Sequence, residues 1–203
     1  MSGRKMQPGD GQQSLAGFDE PVSNDRLFLG IFPDAMVQDT IAQSARRVQR
    51  QHGMHGQPLH PSRYHMTVHH LGDYPELLPE RVDAALTALN RIVAPAWEIA
   101  FDRIASFRGK HKHPCVLRCP DTEIGAHALW RETWAHFAAA GFTQWLQSGF
   151  TPHVTLLYGD RLLPAPMAIE PIRWTVREVV LVHSRLGMTE YHSLGRRQLS
   201  NPP

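Results

Sequence analysis

An α+β fold of two intertwined lobes is what this sequence predicts, and two observations point there. Elements read as strand, helix, strand, helix twice over and finish in antiparallel pairs, which fits that class better than a doubly wound parallel sheet. A short phrase also occurs twice, as His65-Met66-Thr67-Val68 and as His153-Val154-Thr155-Leu156, and each copy runs on into a Gly-Asp pair, Gly72-Asp73 and Gly159-Asp160. The 203 residues, 42% of them apolar, suffice for a core in one large domain or two fused small lobes.

The elements follow in order. Residues 1–25 are rich in Gly, Gln, Ser and Asp and lack the apolar stretch of a secretory signal, so they read as a flexible tail. No window approaches 18 uninterrupted apolar residues. A cytoplasmic protein working away from the membrane is expected. Arg26 to Phe32 reads as a buried strand closed by Pro33-Asp34, with Asp34 placed to cap a helix from Ala35 to about Gln51. Leu59-His60 and Tyr64 to Leu71 read as extended. From Pro75 to Ile92 the residues Leu78, Val82, Ala85, Leu86 and Leu89 recur at helical spacing. Trp97 to Phe107 and His113 to Cys119 read as a strand pair joined by a basic loop. A third helix starts at Asp121 or Thr122 and stops at Gly141. Strands at His153 to Leu157, Ile172 to His183 and Tyr191 to Leu199 complete a single domain over 26–199, with 200–203 as a C-terminal tail.

Composition excludes several classes. The two cysteines, Cys115 and Cys119, would share one face of a strand and serve as packed, reduced thiols, because a disulfide scaffold or a zinc site needs more ligands. A net charge of +2 permits an RNA end without demanding one. Among the basic clusters, Arg108-Gly109-Lys110-His111-Lys112-His113 is the one a loop between strands could bring to phosphate.

Side-chain alternation turns the doubled phrase into chemistry. In an extended segment His65 and Thr67 share one face while Met66 and Val68 share the other, and His153 and Thr155 oppose Val154 and Leu156 in the same way. The apolar faces bury and fix the strands, and each His-Thr pair is left to line a groove. His69 joins His65 and Thr67 if the strand stays regular. Two imidazoles serve a phosphodiester at neutral pH, one taking a proton from water and the other giving one to the departing oxygen. Threonine hydroxyls and a cation hold the non-bridging oxygens as charge builds. No metal or other cofactor is called for. His52, His55, His60, His111 and His113 are given no task.

With its paired His-x-Thr-x motifs, the opening Arg26-Leu27-Phe28-Leu29 strand, Phe101-Asp102-Arg103 and the closing Leu181-Val182-His183-Ser184 strand, the chain resembles the two-histidine phosphoesterase superfamily over roughly Arg26 to Leu199. Within it, the likeness is to bacterial RNA 2′,3′-cyclic phosphodiesterases, also called 2′-5′ RNA ligases. The resemblance implies a bilobal fold with two pseudo-symmetric antiparallel sheets, helices outside and a central groove. It implies hydrolysis of an RNA 2′,3′-cyclic phosphate to a 2′-phosphate, and members also join tRNA halves through a 2′-5′ linkage. By motif position His65 is the proton donor and His153 the acceptor, with Thr67 and Thr155 on the phosphate. Two departures stand out. Relatives commonly carry Arg two residues after the second motif, where this chain has Tyr158, and an aromatic two residues after the first, where it has His70. Tyr158 offers one hydroxyl in place of a charged fork, so Arg63, Arg108 and Lys110 are the candidates to supply the charge.

The expected partner is an RNA 3′ end or nucleotide bearing a 2′,3′-cyclic phosphate, bound by a monomer. Three other readings compete. One is the same chemistry on a small cyclic nucleotide. Another is an RNA-binding module that has lost turnover, against which both intact histidines argue. A metallohydrolase using His65 and His69 would need a helix where Thr67-Val68 favours a strand.

Overall fold

The computed structural model describes residues 24–188 and 190–200. Of the expected N-terminal tail, only Asn24 and Asp25 fall among them, and Asp25 already stands in the first strand. Of the expected C-terminal tail only Ser200 is described; its N–H donates to the Ala94 carbonyl (3.0 Å) and its carbonyl accepts from the Ala96 N–H (2.7 Å).

In chain order the elements are β1 (Asp25–Ile31), α1 (Ala35–His52), β2 (Met66–Tyr74), α2 (Pro79–Asn90), β3 (Trp97–Ser106), β4 (His113–Arg118), α3 (Gly125–Phe137), β5 (His153–Gly159), β6 (Met167–Val176), β7 (Glu178–Arg185) and β8 (Tyr191–Gln198). They form two four-stranded antiparallel sheets, ordered β2-β1-β7-β8 and β5-β4-β3-β6. The α+β architecture expected from the sequence is the one observed. The two orders match strand for strand, and the strands of the two motifs, β2 and β5, hold the same edge position. In each half one helix separates the motif strand from its neighbour: α1 between β1 and β2, α3 between β4 and β5. These helices cross between halves. α1 rests on β5 and β6 of the second sheet, while α3 touches β2 of the first.

Local sequence accounts for the elements. In β1, Leu27, Leu29 and Ile31 are fully buried in the main core, and Phe28 faces the other way, with Val180 and Val182. Ile41, Ala42, Ala45 and Val48 give α1 its buried stripe. Asp34 caps α1 as expected, its Oδ1 accepting from the Val37 N–H at 3.0 Å, and Gly53 ends the helix at φ +55°. Gly141, at φ +89°, closes the turn after α3 where a stop was expected. Both cysteines are buried and free. Burial pushes the Cys115 thiol up to about 12.

Several boundaries differ from expectation: β2 runs from Met66 to Tyr74 rather than from Tyr64 to Leu71, β5 ends at Gly159 rather than Leu157, and β6 begins at Met167 rather than Ile172. α2 begins at Pro79, the fixed φ of which suits the first helical position, rather than at Pro75. α3 begins at Gly125, where Glu123 Oε1 accepts the Ala126 N–H (3.0 Å), rather than at Asp121 or Thr122. The run expected as one strand from Ile172 to His183 is two, β6 in the second sheet and β7 in the first, with Arg177 alone between them. Both parts are rich in β-forming residues, and no Gly or Pro marks the change of sheet.

Candidate active site

β2 and β5 touch, and their motifs line one groove of about 490 Å³ between the sheets. Met66, Val68, Val154 and Leu156 are all at most 4% exposed, each burial contributing on the order of 2 kcal/mol that holds the strands in register. The opposite faces present His65 and Thr67, and His153 and Thr155, to the groove. The two histidines are held alike. His65 Nδ1 bonds the carbonyl of Arg63 at 2.7 Å, and His153 Nδ1 bonds that of Thr151 at 2.7 Å. A carbonyl only accepts, so Nδ1 carries the proton and each neutral ring keeps its Nε2 lone pair for a ligand.

A β-bulge falls at the last residue of each motif. In the first half Gly30 pairs with Thr67 and Leu29 with His69, leaving Val68 extra; in the second, Val116 pairs with Thr155 and Cys115 with Leu157, leaving Leu156 extra. The extra residue reverses the alternation. His69 therefore turns into the core and does not share a face with His65 and Thr67, which corrects the expectation drawn from a regular strand. It is 3% exposed, and its Nε2–H lies 2.9 Å from Thr133 Oγ1 and 3.1 Å from the Trp130 carbonyl. The His65/His69 metal pair is thereby dissolved. The same reversal brings His70 and Tyr158 to equivalent places in the groove.

Surroundings differ between the halves. The His65 ring packs against Phe28 (4.9 Å between centroids), Phe32 (5.5 Å, stacked) and the edge of Tyr191 (5.2 Å). Burial first, then the charges of Arg63 and His153, lowers its pKa to about 4, against the raising effect of the Arg63 carbonyl. Among the described residues His153 meets one aromatic ring, Phe107 (5.0 Å), and its pKa is lowered by burial and by the Arg118 charge. His70 is lowered too, by burial above all, while Asp73 opposes the shift.

Of the expected phosphate ligands, Thr67, Thr155, Tyr158 and Arg63 line the groove with both histidines. Arg63 is the notable cation, with no carboxylate partner among the described residues; its Nη2 donates to the Tyr191 hydroxyl (3.2 Å) and its buried Nε has no partner. Arg108 and Lys110 do not reach the groove, contrary to expectation. Both are exposed on a turn that closes on itself, the Gly109 N–H donating to His113 Nδ1 at 3.1 Å. Arg26, Arg185 and Tyr191 also line the groove and carry no signal in the doubled phrase. A larger cleft, about 610 Å³, opens beyond Tyr191. It sets Asp34 and Glu178 against Arg177 and Arg196 and holds no motif residue, so the histidine groove is the candidate site.

The family model of the 2′-5′ RNA ligase superfamily matches residues 33–187. Among solved structures, E. coli LigT in apo form is similar with a TM-score of 0.68 at 22% identity, covering 88% of this chain and 99% of that one. E. coli LigT complexed with 3′-AMP gives 0.69 at 22%, covering 88% and 99%. The protein TT0787 of Thermus thermophilus gives 0.69 at 20%, covering 87% and 98%. At these identities the likeness is one of fold. No curated protein matches the chain.

Proposed function

Because the chain belongs to the 2′-5′ RNA ligase superfamily, we propose that it hydrolyses RNA 2′,3′-cyclic phosphate ends to 2′-phosphomonoesters by acid–base catalysis between His65 and His153, without a metal. The observation that carries this reading is the convergence of two His-Thr pairs on one groove whose lining, among the described residues, holds three arginines and no carboxylate. Such a lining attracts an anion and leaves it two imidazoles to exchange protons with. E. coli LigT, similar in fold, has been solved in complex with 3′-AMP, which supports a nucleotide as the class of ligand.

In the proposed reaction water attacks phosphorus opposite the ribose 3′ oxygen. His153 Nε2 takes the water proton, the new P–O bond forms, the P–O3′ bond breaks, and His65 gives O3′ its proton. Thr67, Thr155 and Arg63 hold the non-bridging oxygens, with Tyr158 adding one hydroxyl. Burial and then the Arg63 charge disfavour the His65 imidazolium. The arriving phosphodiester reverses that balance, because its negative charge stabilises the cation that must act as acid. With the 5′ hydroxyl of a second RNA strand in place of water, the same steps form a P–O5′ bond as the P–O3′ bond breaks and leave a 2′-5′ linkage, which is the chemistry of ligation.

The test is incubation of the protein with a 2′,3′-cyclic nucleotide in the presence of a strong chelator, with the product isomer identified by phosphorus NMR. A 2′-phosphate is expected. No turnover, or turnover abolished by chelation, overturns the proposal.

A further inference from the structure

Strand register carries one face of the first sheet past the histidine groove and into the larger cleft. Thr67 stands opposite Gly30, Gly30 opposite Val180 and Val180 opposite Arg196. One row along, Phe28 stands opposite Val182, and Val182 opposite Ser193. Residues paired across a ladder share a face, so the surface behind the motif threonine and the surface under the 610 Å³ cleft are continuous. Tyr191 lines both spaces. Its ring stands edge-on to Phe28 at 5.4 Å, Phe32 at 6.3 Å and His65 at 5.2 Å between centroids, and its hydroxyl accepts from Arg63. It is the partition between two adjoining sites.

The two spaces differ in charge. Among the described residues the groove lining sets three arginines against no carboxylate, whereas the cleft lining matches Arg177 and Arg196 with Asp34 and Glu178. Glu178 accepts from Arg196 at 2.5 Å and from Gln198 at 2.7 Å. A balanced lining gives a second phosphate little advantage. What the cleft offers instead is apolar and aromatic surface from Phe32, Val180, Val182 and Tyr191, with the amides and hydroxyls of Gln38, Thr175, Ser193 and Gln198 beside it. Such a lining suits a nucleobase, which stacks by its faces and hydrogen-bonds by its edges. Length permits it too. From Tyr191 to Gln198 β8 extends about 23 Å at roughly 3.3 Å per residue, and a stacked base needs about 3.4 Å.

We propose that the cleft beyond Tyr191 is a nucleobase site for the residue on the 5′ side of the terminal nucleotide. In-line displacement puts water on the His153 side of phosphorus and the departing ribose oxygen on the His65 side, so the terminal nucleoside lies over the first sheet beside Tyr191. The strand continues past that ring into the cleft. The inference rests on the proposed reaction, which fixes the side from which the strand enters. It deepens that reading by making a strand of two or more nucleotides the preferred substrate, since a lone cyclic nucleotide leaves the cleft unused.

Binding of uncleaved ligands tests this apart from turnover. The protein is titrated by calorimetry with a nucleoside 3′-phosphate, a dinucleotide ending in a 3′-phosphate, and the same dinucleotide with an abasic upstream residue. The full dinucleotide is expected to bind roughly tenfold or more tightly than the mononucleotide, the effect of stacking one base, and the abasic ligand to lose most of that gain. Ser193 is exposed on β8, so Ser193→Trp fills the cleft from its rim. That variant is expected to lose the gain while binding the nucleoside 3′-phosphate as the wild type does, and Gln198→Ala to shrink the gain about twofold or more. Equal affinity for dinucleotide and mononucleotide, a gain retained by the abasic ligand, or a gain unchanged in both variants overturns the base site. A protein that shows the gain but hydrolyses no cyclic phosphate would refute the proposed reaction and leave the base site standing.

Discussion

The two halves of the groove share a backbone and differ in charge. In both, a histidine Nδ1 bonds a carbonyl two residues back at 2.7 Å, a bulge falls at the last motif residue, and the next outward side chain enters the groove. The first half then surrounds its histidine with Phe28, Phe32, Tyr191 and the groove-lining Arg63, while the second offers Phe107 and Tyr158 and keeps its cation, Arg118 opposite His153, outside the groove lining. Backbone hydrogen bonds set ring orientation, which proton transfer needs on both sides. Side chains set the local field, which an asymmetric substrate needs on one. The comparison teaches that proton handling and anion holding are separable here.

The largest effect should come from the shared part. His65→Ala and His153→Ala are each expected to lower kcat on a 2′,3′-cyclic nucleotide by about 10²–10⁴-fold, with the double variant little worse than either single. Full activity in either single variant would break the symmetry at its root. A smaller effect should divide the halves. Arg63→Ala is expected to cost roughly tenfold or more in kcat/KM, and Tyr158→Phe about twofold, since one loses a charge and the other a single hydroxyl. Steady-state kinetics in which Tyr158→Phe is the more damaging would move the anion site to the second sheet.

Stability against pH should also be lopsided. His65 and His69 both have folded pKa values lowered to about 4 from 6.5, burial being the main cause in each. The unfolded chain therefore binds more protons between these values, so the stability is fully present above pH 6.5 and is lost as pH falls towards 4. Buried His69 alone sets a slope of up to about 1.4 kcal/mol per pH unit in that window. The equivalent place in the second half is Leu157, which does not titrate. Denaturant melts of His69→Leu should show a shallower loss between pH 6.5 and 4.5. At pH 7 the change should be smallest of all, about 1 kcal/mol, because the Thr133 hydroxyl keeps its own donation to the Leu129 carbonyl at 2.7 Å. An unchanged slope would show that His69 is protonated in the fold.

The sequence disclosed the parts that depend on short-range pattern. Alternation around the doubled phrase placed His65, Thr67, His153 and Thr155 on one kind of face, and Asp34 and Gly141 marked helix ends by their own chemistry. What it concealed depends on partners far along the chain. A bulge is decided by the strand alongside, so nothing between His65 and His70 announced that His69 would turn inward. Arg26 gains its groove position from Asp73 across the ladder, 47 residues away. The basic loop at Arg108 and Lys110 carried suggestive charge, but turn geometry kept it outside. Arg177 looked like strand interior because either sheet would accept its neighbours.

That single-residue crossing at Arg177 has a consequence for how the molecule is made. The whole second sheet, β3 to β6, is contiguous in the chain and nested inside the first, the inner strand β1 of which pairs with β7. On the ribosome the first sheet therefore has only a two-stranded ribbon until the last elements emerge, seconds after the second is complete at roughly 5–20 residues per second. Phe28 then lacks Val180 and Val182, and His65 lacks Tyr191. A chain released early would contain both histidines and both threonines yet have no groove to unite them.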